Sequence, residues 1–236
     1  TFYAGAMLRP AVEQTIREFE RREGVVVDPK YNGCGILVAQ MKAGEVPDAY
    51  FACDVEFMTQ VQDQFLPSTN VSENELVIIV QKDNPHGIAQ LRDLATPGLR
   101  VGIGHEKQCA MGWLTQNVLR EGGVAEEIMP NVTTQLPTGD MLVNNMLAGS
   151  LDAAIVYLSN AAGSAEKLDA IAITEVECST AIQPYAVARD AKHPQLAARL
   201  YDAIISAQSQ NRFESVGFRW QAQPPADGAG PTSNVD

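Results

Sequence analysis

The sequence predicts an α/β fold of parallel-rich sheets with helices on both faces, and three observations carry that expectation. Strand and helix patterns alternate almost from end to end, as they do when parallel strands are joined by helical crossovers. The 236 residues exceed one domain of ordinary size and fit two lobes. Small residues recur where a predicted strand gives way to a predicted helix, at Ala4-Gly5-Ala6-Met7, Gly33-Cys34-Gly35 and Gly104 to Gly112.

Phe2 to Ala6 is a short apolar run that reads as a strand. Pro10 sits where a first helical turn tolerates it, and Val12, Ile16 and Phe19 recur at helical spacing up to the stop at Gly24. Val25-Val26-Val27 predicts a β-branched strand ending at Pro29. Asn32 to Gly35 opens a helix over Ile36 to Ala43, which Gly44 ends. Asp48 to Ala52 is a third strand, followed by Cys53-Asp54 and an amphipathic helix through Phe57, Met58 and Val61.

The second half repeats the rhythm. Leu76 to Val80 predicts a strand, Ile88 to Leu94 a short helix stopped by Pro97-Gly98, and Leu99 to Ile103 a strand running into Gly104-His105-Glu106. Helices follow over Met111 to Arg120 and Met141 to Leu147, with a strand at Ala153 to Tyr157. Ile171 to Ile173 and Tyr185 to Ala188 are further strands, and Leu196 to Ala207 is a strong terminal helix. Residues 221–236 are rich in Pro, Gly and Ala without a period, the composition of a flexible tail.

Composition narrows the function. A net charge of −12 argues against nucleic acid or an anionic membrane as partner. No apolar run is long enough to span a bilayer. No basic and apolar leader precedes Thr1, so either the chain is not exported or a leader has been removed. The four cysteines, Cys34, Cys53, Cys109 and Cys178, lie far apart with no C-x-x-C pair, which excludes a zinc ribbon or a thioredoxin-like motif.

The three glycine-bearing loops suggest where a ligand sits. Strand ends and helix N-termini gather at one edge of a parallel sheet. Free N–H groups and the helix dipole make that edge ready for an anion, and glycine lets a ligand approach the backbone. Small residues also occur at strand-to-helix turns for purely structural reasons.

Beyond these patterns, the chain resembles the periplasmic molybdate/tungstate-binding proteins of ABC transporters, which are type II periplasmic binding proteins. The resemblance rests on Phe2 to Leu8, Phe19 with Gly24-Val25, Leu37 to Gly44, Pro47 to Asp54, Asn74 to Val80 and Ala154 to Tyr157, and it spans roughly Phe2 to Phe218. It implies two Rossmann-like lobes joined by a two-strand hinge near Leu76–Gln81 and Ala181–Ala188. Lobe one would take residues 1–78 and 184–220, and lobe two residues 79–183. It further implies a non-enzymatic, monomeric binding protein, periplasmic or extracellular and membrane-associated. Such a protein needs no cofactor, closes on a small inorganic ligand and serves a transporter permease.

Carried over position by position, the ligand set is Met7, Cys34, Met111, Gly139 and Tyr157. The resemblance places serines at the positions of Met7 and Cys34, so two hydroxyl donors are exchanged for sulfur. Losing donors to a buried dianion is costly. Met7, Cys34, Cys109 and Met111 together, with His105 nearby, also form a soft set suited to Cu(I), which makes a copper-binding protein the alternative reading. Cys34 with Cys109 forms a disulfide across the cleft in one bland reading, and both remain apolar thiols in another. A remote alternative makes Cys34 a nucleophile served by His105. Asp54 either coordinates a cation or caps the helix that follows it.

Overall fold

A computed structural model describes residues 1–222. In chain order the elements are β1 (Phe2–Gly5), α1 (Arg9–Glu23), β2 (Pro29–Asn32), α2 (Cys34–Lys42), β3 (Ala49–Phe51), α3 (Val55–Thr59) and β4 (Thr69–Gln81). There follow β5 (Val101–Gly104), α4 (Ala110–Glu121), α5 (Ala125–Ile128), β6 (Val132–Leu136), α6 (Gly139–Leu147), β7 (Ala153–Tyr157) and α7 (Leu158–Ala161). The described residues close with β8 (Leu168–Ala172), β9 (Thr180–Val187), α8 (Pro194–Ile204), α9 (Ala207–Ser215) and β10 (Arg219–Trp220).

The strand order is β2-β1-β3-β9-β4-β7-β5-β6, with β8 and β10 also paired to β4. β1 runs parallel to both β2 and β3, and β5 runs parallel to both β6 and β7. These are the parallel units that the alternation of patterns predicts. They are buried on both faces, so β1, β3, β5 and β7 read as continuous apolar runs rather than alternating ones.

Two long antiparallel strands join the parallel units. Thr69 to Glu75 of β4 pairs with Thr180 to Tyr185 of β9, while Leu76 to Val80 of the same strand pairs with β7. β4 therefore passes from one sheet into the other. The crossing expected near Leu76–Gln81 lies a few residues later than the segment that pairs with β9, because Leu76 to Gln81 already belongs to the β7–β4–β8 ladder.

Three local expectations are corrected. Val25-Val26-Val27 is not a strand: Gly24 ends α1 in the left-handed conformation at φ 66°, and Val26 is 91% exposed. Pairing with β1 begins only at Pro29, whose missing N–H suits the first residue of an edge strand. The terminal helix expected over Leu196 to Ala207 is two helices, α8 and α9, with Ser206 capping the second through Ser209 N–H. Gln221 and Ala222 are not part of a free tail, since both N–H groups donate to the Val71 carbonyl at 3.0 Å. The rest of the expected tail, 223–236, lies outside the described residues. Among the described residues no helix is long and apolar enough to cross a membrane.

Candidate functional site

The loops that carry the predicted site residues meet. Parallel pairing sends the C-terminal ends of β1, β2 and β3 to one edge, so Gly5 to Met7, Gly33 to Gly35 and Cys53-Asp54 are neighbours there. The corresponding edge of the second sheet carries His105 to Cys109, Pro137 to Gly139 and Tyr157 to Asn160. The two edges face and touch. Gly35 N–H donates to the Gln108 carbonyl at 3.1 Å, and Ser159 Oγ donates to the Met7 carbonyl at 3.5 Å.

Glycine is required at this meeting. A Cβ at Gly33 would overlap the Gln108 and Pro137 carbonyls, and one at Gly35 would overlap the Lys107 carbonyl. Neither position has an unusual φ, so the reason is close approach of two backbones rather than turn geometry.

Three helices of nine or more residues, α2, α4 and α6, begin at these loops, and none has a side-chain cap on its first turn. Their N-cap residues are Gly33, Cys109 and Thr138, each with extended backbone. These helix N-termini therefore lie at the contact zone, where the Gly35 N–H of α2 meets the Gln108 carbonyl and the Met111 and Gly112 N–H groups of α4 face the Cys109 thiol. Gly139 opens α6, and the Asn160 side chain lies over it, donating from Nδ2 to Asp140 at 2.9 Å.

Tyr157 ends β7 and is buried, and its hydroxyl has no hydrogen-bond partner among the described residues. Burial raises its pKa well above the usual phenol value, and the neighbouring Asp54 and Cys109 raise it further. It is thus a neutral O–H donor. Asp54 accepts from Glu56 N–H at 2.9 Å and caps α3, as one of its two expected roles requires. Its carboxyl is pushed up to about 6, mainly by burial, against the lowering effect of the Glu56 and Ile182 N–H groups.

The sulfur set is rearranged. Cys34 is disulfide-bonded to Cys53, not to Cys109, and it offers no thiolate to a metal or a substrate. The reason lies in strand order. β2 and β3 flank β1, so the residues that follow them stand on either side of Gly5. A Cβ at Gly5 would overlap Cys53 Sγ and lie 3.1 Å from Cys34 Sγ, so the missing side chain makes room for the bridge. The Cys53 N–H also donates to Cys34 Sγ at 3.0 Å.

Cys109 is a free buried thiol whose pKa burial pushes up to about 11, against the lowering effect of the Gly112 and Met111 N–H groups. Met7 and Met111 are buried, and Met111 packs against β5 beside Gly104. The soft set of four sulfurs thus reduces to two packed thioethers and a protonated thiol. Among the described residues no group of three or more His, Cys, Asp or Glu side chains is placed to hold a metal ion. His105 Nδ1 accepts from Lys107 N–H at 3.3 Å, and the oxidised Cys34 leaves it no nucleophile to serve.

Sequence reasoning missed Cys53 as the partner of Cys34, and Asn160 as the side chain over Gly139. A parallel β2-β1-β3 order with a glycine at the end of the middle strand is the signal for the first. No sequence signal marks the second.

The periplasmic molybdate-binding protein of Azotobacter vinelandii superposes with a TM-score of 0.79 at 15% identity, covering 94% of this chain and 99% of that one. The sulfate-binding protein SubI of Mycobacterium tuberculosis superposes with a TM-score of 0.77 at 17% identity, covering 97% and 87%. At those identities the likeness concerns the fold, which is that of type II periplasmic binding proteins. By sequence, the molybdate-binding protein ModA of Mycobacterium tuberculosis is 27% identical over 220 residues, covering 92% of this chain and 82% of the relative. The bacterial extracellular solute-binding protein model matches residues 1–219, and the chain belongs to that family.

Proposed function

We propose that this chain is the extracytoplasmic binding component of an ABC transporter and takes a small oxyanion of the molybdate or tungstate kind between two lobes. Lobe one comprises residues 1–78 and 184–220, and lobe two residues 79–183. They close by hinge motion about β4 and β9. The protein works as a monomer, periplasmic or extracellular and membrane-associated, performs no chemistry on the ligand and passes it to a permease. Relatives that bind molybdate and sulfate support the ligand class.

One observation carries the reading: three uncapped helix N-termini converge opposite a buried phenol whose O–H is unused. Backbone N–H groups of Cys34, Met111 and Gly139, with Tyr157 Oη, provide neutral donors that replace the missing serines. Met7 is buried at the same edge, and the disulfide ties the loop after β2 to the loop after β3. Helix dipoles fixed in place stabilise an anion without reorganising on binding.

Thermal denaturation with molybdate, tungstate, sulfate and Cu(I) tests this. A ligand at 100 times its Kd adds about 2.7 kcal/mol, which in a chain of this size is roughly 5–10 °C. Tyr157→Phe is expected to weaken oxyanion binding at least about tenfold while leaving the ligand-free melting temperature unchanged or slightly raised. A shift with Cu(I) alone overturns the oxyanion reading. Unchanged affinity in Tyr157→Phe overturns the placement of the site.

A further inference from the structure

The hinge strand carries a polar side chain that the fold leaves unused. Asn74 is 1% exposed, and among the described residues neither its Nδ2 nor its Oδ1 has a hydrogen-bond partner. A buried carboxamide with both ends unpaired is a desolvation cost that native proteins rarely carry unless water or a ligand fills it. Nothing in strand pairing needs an asparagine there. Its register partner on β9 is Ala181, which makes no demand on it.

Its direction follows from alternation along β4. Ser72, Asn74 and Leu76 are buried, whereas Glu73 and Glu75 between them are partly exposed, so the first three share the inner face. Ser72 Oγ donates to Gln183 Oε1 at 2.8 Å, and Gln183 Nε2 donates to the Cys53 carbonyl at 3.1 Å. The inner face of the hinge therefore looks on to the turn between β3 and α3. At its other end Leu76 is the register partner of Tyr157, and partners directly opposite one another project to the same face. Asn74 thus stands between the Ser72–Gln183 pair and Tyr157, over the Cys53-Asp54 turn. Its diagonal separation from Tyr157, about 7–8 Å between strand positions, is within reach of one small ion held by both side chains.

We propose that Asn74 is a ligand-contacting residue of the cleft. Its Nδ2–H donates to an oxygen of the bound oxyanion on the hinge side, while Tyr157 O–H donates from β7. Oδ1 accepts from a water that enters with the ion. The inference rests on the oxyanion reading and adds to it a donor from the hinge itself. Closure about β4 and engagement of the ligand then involve the same strand.

The test is calorimetric titration of molybdate into the wild type, Asn74→Ser and Asn74→Asp, with the ligand-free melting temperature of each. A hydrogen bond to a charged group corresponds to about 10- to 100-fold in affinity, and Asn74→Ser is expected to lose that much. Asn74→Asp, which puts an acceptor where the donor was, is expected to lose more. Ligand-free stability should remain near wild type for Asn74→Ser, because an orphaned group is removed. In the wild type, the Asn74 side-chain NH2 resonances, assigned by their loss in Asn74→Ser, should move on addition of molybdate. Wild-type affinity in both variants, or unmoved resonances at saturation, overturns the proposal and leaves the oxyanion reading standing. No response of the wild type to molybdate, tungstate, sulfate or phosphate overturns both.

Discussion

Replacing both Cys34 and Cys53 by Ser tests the cross-link between two of the site's loops. The bridge spans a sequence separation of 19 residues, and the chain-entropy relation for a loop of that size gives about 3 kcal/mol. For a chain of this length each kcal/mol corresponds to roughly 2–4 °C, so the melting temperature should fall by roughly 6–12 °C. Serine at position 34 can still accept the Cys53 N–H, so the loss measures the covalent constraint rather than a stranded donor. Scanning calorimetry of the oxidised wild type and the double variant reads this difference. A thiol titration of the denatured, unreduced wild type should find two reactive groups, Cys109 and Cys178. Four reactive thiols, or a double variant that melts within about 2 °C of the oxidised wild type, would refute the reasoning.

Gly35→Ala places a methyl group against the Lys107 carbonyl, an overlap that exists only while the two loop sets are in contact. It should weaken ligand binding by at least about tenfold in titration calorimetry while leaving the ligand-free protein folded. Equal affinity would mean that this contact is not part of the bound state. Asp54 predicts a pH dependence of stability. Its folded pKa, about 6, lies above the ordinary aspartate value of 3.8, so the native state binds the proton more tightly than the unfolded state. Stability from this group therefore rises as pH falls from about 6 to 4, by about 3 kcal/mol, and is flat above that window. Urea unfolding of wild type and Asp54→Asn between pH 4 and 7.5 checks it. Asparagine keeps the cap and should remove that slope, and a slope that persists assigns it to another group.

What the sequence revealed divides along the range of the interactions. β7 is read residue for residue at Ala153 to Tyr157, and α4 within a residue at each end, because an apolar run between a turn and a small-residue loop is a local signal. The site loops are legible for the same reason, since Gly33 and Gly104 mark places where backbones approach closely and Gly139 one that the Asn160 side chain covers. Val25 to Val27 misleads because β-branching reports a local preference, while the pairing that makes a strand depends on where β1 lies. The Cys34–Cys53 bridge has a different obstacle. Its halves follow different strands, and only the order β2-β1-β3 brings them to either side of Gly5.

On the oxyanion reading proposed above, that bridge also explains how the site can lack hydroxyls and still take an anion. A serine at position 34 would donate from a rotatable side chain at the start of α2. The cystine donates nothing, but it fixes the first turn of α2 to the turn before α3, so the backbone N–H groups there keep one direction. Lys107, in the loop that meets Gly35, is exposed, and the buried Asp54 nearby disfavours an anion when ionised. Binding must then come from oriented dipoles and neutral donors in a region closed to water, where such donors act more strongly than at a surface. Selectivity in such a site depends on the spacing of the donors more than on charge. The cross-link at Cys34, the glycines at the loop contact and the neutral phenol of Tyr157 all serve to hold that spacing.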